Sequence, residues 1–441
     1  MSAESLITGA RAGEIVTSVE ALIRAGELRP GDSLPTVRSL ADRLGVSPTT
    51  VAAAYRDLQS RGLATGEGRR GTRVATRPPL SGPARGPYVI PAGSRDLTSG
   101  NPDPALLPDL VPYLKRLEFH PRLYNEPSHR ADLLTLAAAR FRADGISPEF
   151  LAVTGGALDG IERVLDAQLR PGDRVVVEDP GYPPLIDLVG ALGLQPVPVS
   201  IDDSGLEPEA LERALGGQVA SVVIAPRAQN PYGAALVERR RRELERVLRK
   251  WPEVLVVEDD HAGPVAGAPA QTLAAGRQRW AVVRSVAKSL GPDLRLAVLA
   301  GDAGTVSRVE ARQLLGTGWV SHILQQLVVA LWQDPATEAL EERAARLYAE
   351  RRQSLLDALA GRGLEAHGRS GLNVWVPVPD EAAAVARLLE AGWAVNPGET
   401  YRHRSGPAVR ITTSTLEPAE APAVAAALAG PSELPARTRS A

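Results

Sequence analysis

The sequence predicts an α/β protein in two parts: a short helical module at the N-terminus, then a linker and a large domain built on a mostly parallel sheet. Three observations predict it. Apolar runs at 174–178, 220–225, 254–258 and 280–284 alternate with amphipathic helical stretches from about Asp96 onward. Strands apolar on both faces belong to a sheet covered by helices on either side. Residues 10–75 are instead short-period, helical and arginine-bearing, and residues 76–95 are rich in proline, glycine and serine, the composition of an extended linker.

A chain of 441 residues is long enough for two or three domains and a large core. Hydrophobic residues make up 44% and charged residues 23%, an ordinary globular balance. The absence of cysteine excludes disulfides, thiolate metal ligands and a cysteine nucleophile, and is compatible with the cytoplasm, where the protein is expected. No apolar run approaches ~18 residues, and the N-terminus lacks a basic-then-apolar export signal, so no membrane association is expected. The net charge of −2 excludes bulk polyanion binding, yet residues 10–75 carry ten arginines against seven acids. The six histidines show no metal-ligand spacing, and no metal is expected. Residues 431–441 read as a disordered tail.

In the first module, Gly45 closes a helix that runs through Ser39-Leu-Ala-Asp-Arg-Leu44. Ser47 caps the next helix, with Pro48 at its first position, where a missing amide hydrogen does no harm. Two short helices joined by a tight glycine turn make a helix-turn-helix. Thr49 and Thr50 then stand at the exposed start of the second helix, where major-groove readers make contacts. Residues 61–74 read as a glycine-rich hairpin with a cationic tip, a wing suited to phosphate or minor-groove contact. The gapless pattern from Leu28 to Leu58, including Pro30-Gly-Asp-Ser-Leu-Pro35 and Leu44-Gly-Val-Ser47, resembles the winged helix-turn-helix of the GntR family of bacterial repressors over about sixty-five residues. That resemblance implies contacts to double-stranded operator DNA from Arg38, Thr49, Thr50 and the wing residues Arg69, Arg70 and Gly71. Pro48 stands where the family often carries arginine. A three-helix interaction module that touches no DNA is the plainer alternative.

In the second module, lysine usage is informative. Three lysines stand against forty-seven arginines. Arginine stays protonated in proteins, whereas a lysine amine deprotonates on burial and condenses with an aldehyde. Lys115 and Lys250 lie beside other charges on helix faces expected to be exposed. Lys288 follows an apolar strand and precedes Gly291-Pro292 and Arg295, a neighbourhood that points to pyridoxal 5′-phosphate.

Other motifs, each weak alone, occur around it in one order. Gly155-Gly156-Ala157 follows a strand and opens a helix, whose N-terminal amides bind phosphate; such a pair is elsewhere just a tight turn. Tyr182 follows a strand end and can stack on a planar ring, though loop aromatics usually pack in cores. Asn230 offers an amide to a ring oxygen, and Asn-Pro is also a common turn. Glu258-Asp259-Asp260-His261 supplies carboxylates that keep a pyridine nitrogen protonated, although acids at strand ends are usually solvated. Ser285 and Arg295 flank Lys288. Arg410 lies on a strand and suits bidentate binding of a carboxylate.

In this order the motifs resemble the fold type I, aspartate-aminotransferase-like enzymes over residues 96–430. The resemblance implies a smaller α+β subdomain beside the sheet, and Lys288 as the residue bonded to the cofactor. It places Asp259 on the pyridine nitrogen, Asn230 on the 3-oxygen and Tyr182 in a stack. It puts Ser285, Arg295, Gly156 and Ala157 on the phosphate and Arg410 on a ligand carboxylate. His261 falls near the 3-oxygen where the family usually has tyrosine. The run Tyr124-Asn-Glu-Pro-Ser-His-Arg130 replaces a more usual Tyr-Gly-Asp-Pro-x-Gly, which weakens any role for Tyr124.

The two modules together resemble the MocR group of bacterial transcription regulators. This implies a head-to-tail homodimer whose second domain binds pyridoxal phosphate and senses an amine, an amino acid or the cofactor itself. A working aminotransferase with an accessory DNA-binding domain is the alternative, and a vestigial core that only dimerises the reader is a third.

Overall fold

The computed structural model describes residues 6–29, 31–60, 62–66, 71–75, 90–118 and 120–430. Residues 76–89 of the expected linker, the wing-tip residues Arg69 and Arg70, and the expected tail 431–441 lie outside the described residues.

In the N-terminal module, α1 (Ala12–Arg24), α2 (Val37–Leu44) and α3 (Pro48–Ser60) precede a hairpin of β1 (Ala64–Gly66) and β2 (Thr72–Val74). The helix ends follow the local chemistry. Thr36 caps α2 by accepting the Ser39 amide at 3.2 Å, and Gly45 ends it with φ 66°, a left-handed conformation that glycine adopts without a Cβ penalty. Ser47 Oγ accepts the Thr50 amide at 3.1 Å, the cap expected for α3. Ile15, Val19, Leu40, Val51 and Leu58 close a core under the hairpin residues Ala64 and Val74. Tyr55 is buried in it, and its hydroxyl donates to the Pro35 carbonyl at 2.7 Å, fixing the entry to α2.

The large domain begins at β3 (Arg95–Asp96), so Arg95, expected as the last linker residue, is already strand. There follow α4 (Val111–Leu114), α5 (Ala131–Ala143), β4 (Phe150–Thr154), α6 (Ala157–Gln168), β5 (Arg174–Asp179), α7 (Pro183–Ala191), β6 (Gln195–Asp202), β7 (Gly205–Leu206), α8 (Pro208–Leu215) and β8 (Val219–Ile224). Next come α9 (Glu238–Leu248), β9 (Leu255–Asp260), β10 (Trp280–Ser285), β11 (Ala297–Gly301), α10 (Ala303–Leu314), α11 (His322–Trp332) and α12 (Pro335–Ala360). The chain ends with β12 (Asn373–Pro377), α13 (Glu381–Glu390), β13 (Trp393–Ala394), β14 (Asn396–Pro397), β15 (Ala408–Thr412) and α14 (Ala421–Ala429).

Eight strands form the main sheet in the order β4-β11-β10-β9-β8-β5-β6-β7. The four apolar runs of the sequence are β5, β8, β9 and β10. Strands β8, β9 and β10 are parallel, whereas β11 is antiparallel to both its neighbours. One apolar cluster joins Val282 and Val298 to Leu133, Phe141 and Leu327 of α5 and α11. A second joins Val176, Val222 and Val256 to Leu211 and Leu244 of α8 and α9. Helix α6 approaches β10 closely because Gly160 lacks a side chain: a β-carbon there would stand 2.7 Å from Val283 Cγ1 and 2.9 Å from Thr154 Oγ1.

The smaller α+β subdomain is a three-stranded antiparallel sheet, β12-β15-β14, with α12, α13 and α14. Its core holds Leu355, Val374, Leu388, Val409, Ile411 and Val424, and also Leu97 from just after β3. Strand β3 pairs in parallel with β13, which ties the start of the domain to this subdomain. Among the described residues, no helix is long and apolar enough to cross a membrane.

Gly160→Ala tests the helix–sheet approach. Alanine favours a helix by up to about 1 kcal/mol over glycine, but overpacking costs about 1–3 kcal/mol, so a lower thermal midpoint is expected. An unchanged or raised midpoint would mean that α6 can lift off β10 freely.

Candidate cofactor and DNA-reading sites

Strand register assembles the candidate site at one end of the sheet. Ala297, at the start of β11, is paired with Ser285 at the end of β10 and with Thr154 at the end of β4. Because β11 runs antiparallel, the residues leading into it meet those leaving its neighbours. Arg295 and Ser285 are therefore brought to Gly156, which lies more than a hundred residues earlier in the sequence. Gly156 caps α6 with φ 111°, and a β-carbon on it would stand 3.0 Å from Arg295 Nη2. Ala157 is the first residue of α6, and the Gly155 amide donates to Asp159 Oδ2 at 2.7 Å, which fixes the turn. Ser285 is buried, and its Oγ accepts the Ala287 amide at 3.1 Å. Arg295 and Ala228 are two of only three non-glycine residues with positive φ among the described residues. Such strain, of order 1–3 kcal/mol, concentrates at functional sites.

The acidic run on β9 separates by strand alternation, which sends neighbouring side chains to opposite faces. Glu258 accepts the Leu273 amide and the Thr272 hydroxyl. Asp260 accepts Arg227 Nε at 2.8 Å and Arg284 Nε at 2.7 Å, which hold its carboxyl far below the usual carboxylate range despite its burial. Asp259 points the other way. It is buried, its Oδ1 has no hydrogen-bond partner among the described residues, and its Oδ2 lies 3.8 Å from His261 Nδ1. Burial, reinforced by the charge on Asp260, pushes Asp259 up to about 7, while Lys288 opposes the rise. Burial and the Lys288 charge hold His261 down at about 4.

Lys288 Nζ donates to the Gly100 carbonyl at 2.7 Å. Burial, then the charge of Arg410, lowers its amine to about 8. Arg410 is buried; its Nη1 donates to Asn230 Oδ1 at 3.2 Å, its Nη2 donates to the Thr98 carbonyl, and its guanidinium lies 5.0 Å from the Tyr401 ring centroid. Tyr182 is pushed up by burial and then by Asp259, with Arg410, Tyr401 and Arg295 also within electrostatic reach. The predicted residues of the large domain thus converge. Sequence reasoning missed Tyr401 and the carbonyls of Thr98 and Gly100. A backbone carbonyl leaves no side-chain signature, and Tyr401 lies more than a hundred residues from Lys288.

Arg38 and Thr49 are exposed and Thr50 is half-buried. The hydroxyls of Thr49 and Thr50 lie 2.6 and 2.8 Å from Ser47 Oγ, so the cap and the candidate DNA-contacting groups form one cluster. Gly71 enters β2 with φ 90°.

These features have counterparts in known proteins. Residues 95–428 match the model of aminotransferase class I and II, and residues 11–74 match that of the bacterial regulatory proteins of the gntR family. The chain is 42% identical to the vitamin B6 salvage pathway transcriptional repressor PtsJ of Salmonella typhimurium, over 96% of this chain and 98% of that one. The chain belongs to the MocR-type GntR regulators. Another similar member is the HTH-type pyridoxine biosynthesis transcriptional regulator PdxR of Corynebacterium glutamicum, 30% identical over 78% of each chain. The large domain of this MocR-type chain also shares its fold with a kynurenine aminotransferase of Pyrococcus horikoshii. That match has a TM-score of 0.69 at 22% identity and covers 77% of this chain and 90% of that one.

The residues fit the cofactor that this fold implies. A buried carboxylate oxygen without a donor among the described residues suits a protonated ring nitrogen, and a side-chain-free helix N-terminus beside an arginine suits a phosphate. Among the described residues, no three His, Asp or Glu side chains gather to hold a metal ion.

With only three lysines, the amine chemistry is directly measurable. In competitive acetylation read by mass spectrometry, Lys288 should become reactive with a midpoint near pH 8, against about 10.4 for an ordinary lysine. A midpoint at the ordinary value would refute the lowered amine.

Proposed function

We propose that this MocR-type regulator binds pyridoxal 5′-phosphate through Lys288 and adjusts its hold on operator DNA to the level of a vitamin B6 compound or of an amine bound with it. The observation that carries this is the pairing of a lowered Lys288 amine with the unpartnered oxygen of Asp259 in one buried cluster. The printed functions of two relatives, vitamin B6 salvage and pyridoxine biosynthesis, favour the B6 compound as the signal. The cofactor, when bound, supplies an aldehyde and an electron-accepting ring.

The rest is work for the chain's own residues. Lys288, partly neutral near pH 8, presents a nucleophilic amine. Asp259 would hold a proton on the ring nitrogen, and Tyr182 would stack against the ring. Asn230 and His261 would serve the 3-oxygen, with His261 neutral because its pKa is lowered to about 4. Gly156, Ala157, Ser285 and Arg295 would hold the phosphate, and Arg410 would receive a carboxylate. In the first module, Arg38, Thr49 and Thr50 contact DNA together with the wing around Arg69, Arg70 and Gly71. We assign residues 10–75 to the reader and 96–430 to the effector domain.

We further propose a homodimer, located in the cytoplasm with the DNA it reads. Leu123, Tyr124, Leu314 and Leu315 are between 63% and 90% exposed, and Tyr124 meets Trp319 edge to face at 5.8 Å. Large apolar side chains left this exposed suit a protein contact. Turnover as an aminotransferase is a second reading, favoured by the convergence of Lys288, Asp259 and Arg410.

Purified protein should bind DNA from upstream of its own gene above scrambled competitor, with an affinity that changes on adding pyridoxal phosphate at fixed salt. Lys288→Arg should lose both the visible absorption of the bound cofactor and that change. Arg38→Ala should weaken specific binding by about 1–3 kcal/mol and leave the absorption intact. Specific binding indifferent to the cofactor would refute the regulatory reading, and transamination abolished by Lys288→Ala would establish the enzymatic one.

A further inference from the structure

Thr98, Ser99 and Gly100 form a short strap that two cations of the candidate site, Lys288 and Arg410, hold. Lys288 Nζ donates to the Gly100 carbonyl at 2.7 Å, and Arg410 Nη2 donates to the Thr98 carbonyl. The strap is held on its other side too. Asn396 Nδ2 donates to the same Thr98 carbonyl at 2.7 Å, and the Gly100 amide donates to Thr412 Oγ1 at 3.1 Å. Leu97, immediately before it, is buried in the smaller subdomain's core. Arg95 is anchored by Glu420 and the Thr415 carbonyl. In sequence, the strap follows β3 and the linker that leads from the DNA-reading module.

The two roles of these cations compete. When a lysine amine condenses with an aldehyde, a C=N bond forms, the aldehyde oxygen leaves as water, and that water carries both hydrogens of the neutral amine. The nitrogen then has at most one N–H left after any reprotonation, and a hydrogen bond to Gly100 has to compete for it. A carboxylate arriving at Arg410 contests the guanidinium with the Thr98 carbonyl, and a carboxylate is the stronger acceptor because its hydrogen bonds are charge-assisted. A ligand shifts an equilibrium only by interacting differently with its two states. Here the differential contact is explicit at Lys288, whose condensed nitrogen keeps at most one N–H, while at Arg410 the carboxylate and the Thr98 carbonyl draw on one guanidinium.

We propose that the strap 98–100 is an internal competitor for the ligand, and that its release transmits occupancy of Lys288 and Arg410 to the end of the linker. This rests on the cofactor reading given above and adds its route. Asn396 and Arg95 hold the strap without belonging to the ligand-binding set, so they set how firmly it competes.

Hydrogen–deuterium exchange on the full chain tests the route. The probes are pyridoxal phosphate alone and phosphopyridoxyl-L-alanine, which adds a carboxylate. Amides in 97–101 should exchange at least fivefold faster than in protein stripped of cofactor, both with pyridoxal phosphate, which takes Lys288 from Gly100, and with phosphopyridoxyl-L-alanine, which leaves Lys288 uncondensed but draws Arg410 from Thr98. Amides of β9 and β10 should not. Asn396→Ala should retain the cofactor's visible absorption while exchanging fast at 97–101 without ligand, and its DNA affinity should respond less to pyridoxal phosphate. Cofactor absorption with unchanged exchange at 97–101 overturns the strap and leaves the cofactor reading intact. A chain that takes up no pyridoxal phosphate overturns the cofactor reading, and the strap with it.

Discussion

The sheet domain depends on one buried ion cluster. Asp260 sits between Arg227 and Arg284, and Asp144 lies 3.2 and 2.7 Å from the same two guanidinium groups. Removing one partner from such a cluster leaves an uncompensated buried charge, a loss of about 3–5 kcal/mol. Its local effect reaches the site. Burial raises Asp259, and an ionised Asp260, next to it in sequence but on the opposite face of the strand, raises it further by repulsion. The cluster therefore makes Asp259 receptive to a positive neighbour, and a protonated ring nitrogen is one.

Charge logic of the same kind links the remaining groups. Burial, then the charge of Arg410, lowers the Lys288 amine, while Asp259 pulls it the other way. Lys288 in turn helps to keep His261 neutral. Each perturbed group is part of the cause of the next, so the site titrates as a set of interacting groups. Glu178 extends the set. It is buried, bonded by the Ala225 amide and by Gln229 Nε2, and pushed up to about 8 mainly by burial. Gln229 also donates to the Pro180 carbonyl and accepts the Tyr232 amide, so it braces the loop that carries Asn230.

Much of this was legible in the sequence, for identifiable reasons. The apolar runs gave β5, β8, β9 and β10 because strands buried on both faces have no polar alternation to hide them. Gly45 and Ser47 marked the helix ends because caps are local chemistry. Lys288 stood out through the rarity of lysine. What stayed hidden is non-local or too small to show a period. Strands β3 and β13 have two residues each, and Leu97 enters a core otherwise built some 250 residues later. The antiparallel direction of β11, which delivers Arg295 to Gly156, has no signature within its own five residues. Choosing Asp259 over its neighbours relied on family likeness in the sequence, whereas the structure separates the three acids by simple strand alternation.

The lowered Lys288 amine has a chemical liability. A neutral buried amine condenses with aldehydes as a class, and a cell contains many reactive carbonyl compounds besides pyridoxal phosphate. The amine itself carries no means of telling them apart. On the proposed reading, discrimination falls to groups other than the amine: the Arg295 guanidinium over Gly156, and the Asp259 oxygen that has no partner among the described residues. A small aldehyde without a phosphate or a basic ring nitrogen meets neither. It can react with Lys288, but it gains nothing that would hold it there against hydrolysis.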